Sequence, residues 1–412
     1  LQQVRAAAEH GIRTGEVGFD FTRAAARKDE VVQKLVGGVE QLLKGNGVDL
    51  FRGNASLEGA GRIRIRRPDL TGHIRTKHII LATGSVPAHL QTLPIDGKNV
   101  LTSDEILAIK ELPESLLIVG GGYIGCAFAG IFATFGTRVT LVEQLPAILP
   151  RSDRQAVREV EKSFRELGVA VHVGTAIAAM EVTADGVETR LAGGETLRTR
   201  KVLVAVGRRP NTEGLALEEN GVRLEKGAIV VDERMSTSAE GIYAIGDVTG
   251  GIQLAHVASY QAGIAVANAL GGDARADYRA VPSSVFAFPE IGQVGLTEEE
   301  CRARGIAVEI GRFAYQATSK ALCDGEPRGS AKVLAAREDG RLLGVTITGA
   351  EASTLLAEAT LALQQNLTAA QWAEAIRSHP TLPEALREAA EDVEGRAVHK
   401  VGRRTAGRPA AN

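Results

Sequence analysis

The stretch from Ser115 to Glu143, SLLIVGGGYIGCAFAGIFATFGTRVTLVE, constrains the fold more than any other part of the chain. Its apolar run Leu116 to Val119 reads as a buried parallel strand, a helical pattern follows the glycines, and a second apolar run, Val139 to Val142, ends in Glu143. The glycines fall as G-x-G-x-x-G at Gly120, Gly122 and Gly125. The first permits a tight turn, the second lets backbone approach a pyrophosphate, and the third lets helix and strand pack closely. A helix starting there turns free N–H groups and the positive end of its dipole towards phosphate. A glycine triplet alone is also what an ordinary glycine-rich turn contains. Strand, helix and an acid about 20 residues on together predict a βαβ dinucleotide unit. Glu143 stands where a carboxylate accepts hydrogen bonds from ribose hydroxyls, which favours NAD over NADP.

At 412 residues the chain exceeds one ordinary core, so several domains are expected. Lys+Arg and Asp+Glu nearly cancel, 48 against 50, which gives no reason to expect nucleic acid as a partner. No apolar run approaches the roughly 18 residues of a membrane helix. Cys126, Cys301 and Cys323 are too few and too scattered for a disulfide scaffold, and neither they nor the histidines show metal-binding spacing. The expectation is a cytoplasmic protein without metal or membrane. The chain opens on Leu1 inside an amphipathic pattern rather than on Met, so its true N-terminus is expected to lie upstream.

Residues 1 to 47 read as largely helical, with Val31, Leu35, Val39 and Leu42 on one stripe, predicting a surface helix packed on a sheet. Short β-runs follow, VDLFRG, NASLEG, RIRIRR and KHIILATGS, the last closing on the small residues Thr83, Gly84 and Ser85. After the βαβ unit come the helical RQAVREVEKSFRELGV, a hairpin-like ADGVETRLAGGETLRTR, and the strand KVLVAVG closed by RRPNT. GIYAIGDVTGG is a further strand ending at Asp247, before a helix over LAHVASYQAGIAVANALGG. A carboxylate there is either a cap or a ligand at the edge where open α/β sheets bind. From Val281 strands and then helices suggest an α+β module, and the basic tail from Val401 reads as disordered.

The order ILATGS, VGGGYIG with VE, AVGRRPNT, IYAIGD with LAH, and SHPTLPEAL resembles the FAD-binding pyridine nucleotide-disulfide oxidoreductases over about residues 8 to 400. RKDEVVQKLVGGVEQLLKGNGV and HPTLPEALREAA look most like their dihydrolipoyl dehydrogenase branch. The resemblance implies an α/β chain of two Rossmann-like nucleotide-binding domains, the FAD part incomplete and the NAD part inserted, followed by an α+β dimerisation domain. The expected segments are 1–95 partial FAD-binding, 96–215 NAD-binding, 216–280 returning FAD-binding, 281–400 interface and 401–412 tail. It implies FAD contacts at Ala55, Thr83, Gly84, Ser85, Asp247, Gln253, Leu254, Ala255 and His256. It implies nicotinamide nucleotide contacts at Gly120, Gly122, Tyr123, Ile124, Gly125, Glu143, Ile177 and Gly207. His379 and Glu384 look like the family's catalytic His–Glu pair, the implied assembly is a homodimer, and the implied substrate is a small dithiol or a lipoyl domain.

In that family a histidine takes a proton from a dithiol, whose thiolate attacks an enzyme disulfide. A carboxylate partner fixes the histidine's tautomer and raises its basicity. His379 and Glu384 can meet only if the chain bends across Pro380 and Pro383, and Thr381 to Glu384 is also a helix capping pattern. Two departures stand out: the family's first glycine motif and C-x-x-x-x-C pair are not in this sequence, and Ala127 occupies a position where the family commonly has Glu. Cys126 is either a thiol activated by the helix start or a packing residue. Alternatives to the dihydrolipoyl dehydrogenase branch are a mercuric or glutathione reductase relative, or a catalytically silent nucleotide-binding fragment.

Overall fold

The computed structural model describes residues 1–59 and 61–401. A short helix α1 (Gln2–Arg5) and the 25-residue α2 (Phe21–Gly45) precede an antiparallel meander of β1 (Asn54–Leu57), β2 (Arg62–Arg66) and β3 (Thr71–Arg75). β4 (Ile79–Leu81) and β5 (Ser85–Pro87) lead into the central sheet. That sheet is built from β6 (Val100–Leu101), α3 (Ser103–Ile106), β7 (Ser115–Val119), α4 (Tyr123–Thr134), β8 (Arg138–Val142), α5 (Arg154–Glu166) and β9 (Ala170–His172). A second meander, β10 (Ile177–Thr183), β11 (Gly186–Leu191) and β12 (Thr196–Thr199), returns the chain to β13 (Lys201–Val204). The strand order is β6-β13-β7-β8-β9, all parallel. Leu116, Leu117 and Ile118 are fully buried, the unbroken apolar pattern of a strand covered on both faces.

β14 (Arg208–Pro210) pairs antiparallel with β5, and a hairpin of β15 (Leu224–Glu225) and β16 (Ala228–Ile229) follows. β17 (Ile242–Ala244) then lies parallel to β4, with Leu81 opposite Ala244, so Thr83–Ser85 and Gly246–Asp247 leave the same edge of that pair. The helix α6 (Ala255–Ala269) comes next. The last module is an antiparallel sheet ordered β18-β19-β22-β21-β20, from β18 (Ser283–Val285), β19 (Ile291–Gly295), α7 (Glu298–Ala303), β20 (Val308–Ala314), α8 (Ser319–Cys323), β21 (Gly329–Ala336) and β22 (Leu342–Gly349). α9 (Ala352–Gln364), α10 (Ala369–Ala373) and α11 (Pro383–Asp392) cover it, and Val333, Ile347, Leu356, Trp372 and Leu386 share its core.

Several expectations are corrected. VDLFRG is not a strand, whereas Thr71–Arg75 and Ile291–Gly295, which carry glycines, are. Residues 11–20 have no helix. The stripe of α2 is not packed on a sheet: Leu35 is 66% and Leu42 65% exposed, Val31 and Val39 are exposed too, and Ala25 is the buried residue of the helix. Only its start is docked, where Phe21 meets Phe132 and Phe135, Phe19 stacks on Phe135, and Lys110 reaches Asp29 at 2.5 Å. Among the described residues nothing buries the remaining face. The tail beyond Val401, expected to be disordered, lies outside the described residues.

Candidate functional site

Three groups of expected site residues emerge from these elements. The first surrounds the glycine turn after β7. Gly120 has φ 109°, and a Cβ there would stand 2.4 Å from the Ala205 carbonyl oxygen. A Cβ on Gly125 would lie 1.9 Å from the Gly120 carbonyl oxygen, so both positions exclude any side chain. Gly122 faces open space and caps α4 with no side chain, leaving the N–H groups of a 12-residue helix directed outwards beside Tyr123 and Ile124. This cradle fits a pyrophosphate. Glu143 turns its carboxylate inward, accepting from the Gly121 N–H at 2.6 Å and the Leu145 N–H at 2.7 Å. Gly207, at φ 117°, follows β13 with open space where a Cβ would stand, and Ile177 begins β10, half-buried. Gly121 was not among the expected residues. Its N–H holds Glu143, and a Cβ would strike Ile148 at 2.8 Å, so the triple glycine run carries a signal beyond the three motif positions.

The second group lies where β4 and β17 end. Ser85 Oγ donates to Asp247 Oδ2 at 2.6 Å, and Arg208 Nε donates to Ser85 Oγ at 2.7 Å while its Nη2 donates to the Ser85 carbonyl at 2.8 Å. Thr83 Oγ1 donates to the Asn211 carbonyl at 2.7 Å, and the Asn211 N–H donates to the Gly84 carbonyl at 2.9 Å. The RRPNT segment therefore pins the Thr83–Gly84–Ser85 turn, a role its place after KVLVAVG hints at without specifying. Gln253 and Leu254 precede the uncapped start of α6, Ala255 and His256 are exposed there, and His256 Nε2 lies 2.8 Å from the Pro282 carbonyl. A carboxylate beside a free helix N-terminus suits a polar chain ending in phosphate. Ala55 sits on β1 in the meander, outside this network of bonds.

The third group spans the connection between α10 and α11, which carries His379, and the first turn of α11, which carries Glu384. His379 Nδ1 lies 3.0 Å from Glu384 Oε1, and the Thr381 N–H donates to Glu384 Oε2 at 2.8 Å. One carboxylate thus meets both the imidazole and the backbone N–H ahead of α11, while the full capping box does not form: the helix is entered through Leu382 without a side-chain cap, and Thr381 Oγ1 donates to the Ser378 carbonyl instead. A carboxylate that only accepts fixes the Nδ1–H as donor and leaves Nε2 free for a proton. Partial burial raises the Glu384 carboxyl, but the Thr381 N–H, the His379 bond and the nearby His399 outweigh it and hold it below its usual range.

Cys126 is fully buried with its Sγ 3.3 Å from the Gly121 carbonyl, and burial, then the charge of Glu143, pushes its thiol well up, which is the behaviour of a packing residue. Cys301 is buried, Cys323 exposed, and all three cysteines are free. Ala127 is half-buried on α4. No group of His, Cys, Asp and Glu among the described residues is arranged to hold a metal, and no described helix is long and apolar enough to cross a membrane. A cleft lined by Glu114, Arg138 and Arg200 opens at the start of β7, the end of the sheet opposite the glycine turn.

The chain matches the family model of pyridine nucleotide-disulphide oxidoreductases over residues 3–262 and that of their dimerisation domain over residues 281–390. Among similar proteins, a dihydrolipoyl dehydrogenase of Thermus scotoductus is 42% identical over 392 residues, 93% of this chain and 84% of the relative. One from Halobacterium salinarum is 42% identical over 384 residues, 91% of this chain and 81% of the relative. The structure of LpdA from Mycobacterium tuberculosis superposes with TM-score 0.89 at 29% identity, over 95% of this chain and 86% of that one. The HOCl-induced flavoprotein disulfide reductase RclA from Escherichia coli, in a Cu(II) complex, does so with TM-score 0.86 at 30% identity, over 95% and 88%.

Proposed function

From the chain's membership of the pyridine nucleotide-disulphide oxidoreductase family, to which it belongs over most of its length, we propose that its sites serve the oxidation of dihydrolipoamide, free or on a lipoyl domain, with NAD, in concert with a redox sulfur pair that Cys126, Cys301 and Cys323 do not themselves form. It is a flavin disulfide oxidoreductase of the dihydrolipoyl dehydrogenase type. The overall reaction converts dithiol and NAD⁺ to disulfide, NADH and H⁺. When bound, FAD carries the electron pair between the sulfur and nicotinamide sides. The observation that carries the reading is the His379–Glu384 contact of 3.0 Å, which prepares Nε2 to take the dithiol proton while the Thr381 N–H holds Glu384 in place.

The remaining assignments follow the cradles. Gly120, Gly122, Tyr123, Ile124, Gly125, Ile177 and Gly207 would line the nicotinamide nucleotide, and Glu143 its ribose. Thr83, Gly84, Ser85, Asp247 and the start of α6, with Gln253, Leu254, Ala255 and His256, would hold FAD, and Ala55 would border it. A homodimer joined through residues 281–390 accords with the matched dimerisation domain and with exposed Phe286, Leu361 and Ile376 on that module. A cytoplasmic location accords with three free cysteines. The second reading, a catalytically silent nucleotide-binding protein, is favoured by the three unpaired cysteines and Ala127.

Calorimetric titration with the two nucleotides tests the nucleotide half. Glu143 would set its charge against the 2′-phosphate of NADP, so NAD is expected to bind at least about tenfold more tightly. Equal or tighter NADP binding would refute the assignment of Glu143, and no NAD binding would refute the cradle.

A further inference from the structure

Lys332 on β21 is a buried lysine, 4% exposed, and its Nζ lies 2.6 Å from Asp153 Oδ2, on a residue that is 1% exposed. The same Nζ stands 3.1 Å from Glu298 Oε2, which also receives Arg312 Nη2 at 2.9 Å. Asp153 is the N-cap of α5, with Oδ1 accepting from the Gln155 N–H at 2.9 Å. Its own N–H donates to Gln293 Oε1 on β19 at 3.1 Å, and Gln293 Nε2 reaches the Arg151 carbonyl at 3.4 Å. The pair joins the parallel-sheet domain to the antiparallel sheet of the last module, between residues 179 positions apart. Such a pair is a costly way to add stability, because both charges lose their water. Its place in the chain gives it another use.

Asp153 closes the loop that begins at Glu143. At its near end and its middle the loop is fastened to the glycine turn: Glu143 accepts from the Gly121 N–H, the Leu149 N–H donates to the Gly121 carbonyl at 2.8 Å, and fully buried Ile148 fills the space beside Gly121. Leu149 holds φ 47°, a left-handed conformation that a leucine keeps only where its surroundings over-determine it. At its far end the loop is fastened to the antiparallel sheet through Lys332 and Gln293. We infer that Lys332 and Gln293 are positioning residues for the nicotinamide nucleotide, holding the Glu143–Asp153 loop in the shape the glycine cradle requires. They act through Asp153 and touch neither the cradle nor His379 by any hydrogen bond found among the described residues. Releasing the far anchor returns conformational freedom to the loop, and binding must then restore that order at the expense of affinity. This inference rests on the proposed nucleotide site and adds that the dimerisation module contributes to its affinity.

The test is calorimetric titration of the full chain with NAD, with hydrogen exchange of residues 144–152 measured without nucleotide and thermal unfolding measured in parallel. Lys332→Met and Gln293→Ala are each expected to weaken NAD binding, by roughly two- to thirtyfold, and to speed exchange in the loop. Because both act on Asp153, their effects should fall short of additive in the double variant. Lys332→Arg, which keeps the charge, should recover most of the affinity. A lowered melting temperature with unchanged NAD affinity in Lys332→Met would show a strut and overturn the inference. If that variant does not fold, Gln293→Ala decides alone, since it leaves the ion pair whole, and unchanged affinity there overturns the inference equally. Absence of NAD binding by the wild-type chain would instead overturn the nucleotide site itself.

Discussion

At the scale of single residues, the His379–Glu384 pair on the last module shows one carboxylate bonded to an imidazole and to backbone at once. Glu384 accepts from His379 and from the Thr381 N–H, and these bonds lower its carboxyl below the unfolded value despite partial burial. A group whose folded pKa is depressed contributes stability above its unfolded pKa, about 4.3 for Glu, and loses that contribution as pH falls through the folded value. Glu384→Gln is therefore expected to unfold with about 1 kcal/mol less stability than wild type at pH 7. That gap should close as the pH is taken down through the folded pKa. Urea unfolding of both proteins across this range checks it, and a gap independent of pH would mean that the carboxylate's charge is not what stabilises the turn. The contact was expected from the resemblance to the family; the five-residue spacing alone allowed it only if the chain bends across Pro380 and Pro383, and left the helix-cap reading of Glu384 open beside it. Ser85 with Asp247, 162 residues apart, and Lys332 with Asp153 left no local trace, since side-chain pairing across the chain is written in topology rather than spacing.

At the scale of elements, β7, α4 and β8 were readable because each satisfies two independent rules at once, an apolar run of the right length and glycine punctuation. β3 and β19 were not, because TGHIR and IGQVG carry glycines and few apolar residues; β19 owes its strand form to β18 and β22 on either side, and β3, at the edge of its sheet, to β2 alone. α2 is the instructive case. Its apolar period predicts a helix, and a helix forms, but periodicity says nothing of what covers the stripe. In this chain the stripe is exposed, so Leu35→Ala should change stability by within about 0.5 kcal/mol. Leu356→Ala, 1% exposed in the core of the last module, should cost about 2–5 kcal/mol. Denaturant unfolding of the two variants measures this contrast, and a Leu35 cost near that of Leu356 would show that the helix face is packed in solution.

At the scale of the whole molecule, three groups of candidate site residues are laid out in one chain, and the chemistry proposed to join them depends on sulfur. Disulfide exchange needs a thiolate and a second sulfur whose Cα atoms lie within about 7 Å of each other. Cys126 is sealed in the parallel-sheet unit with its thiol pushed well up, Cys301 is buried on α7, and Cys323 is exposed at the end of α8. None is paired, and they belong to three different elements. Nucleotide binding and dimerisation need none of them, because the glycine cradle is complete and the last module has its own core. The 412-residue chain is therefore expected to sediment as a dimer and to bind NAD. With dihydrolipoamide, NAD and added FAD it should form lipoamide no faster than free flavin does. Changing all three cysteines to Ser should leave that background rate where it is. Turnover well above free flavin, abolished by any one of the Cys→Ser changes, would show that a cysteine of this chain exchanges with substrate after all. Recovery of turnover only when a dithiol-bearing segment is fused to the chain would place the missing sulfurs in that segment, with His379 and the NAD cradle already competent to serve it.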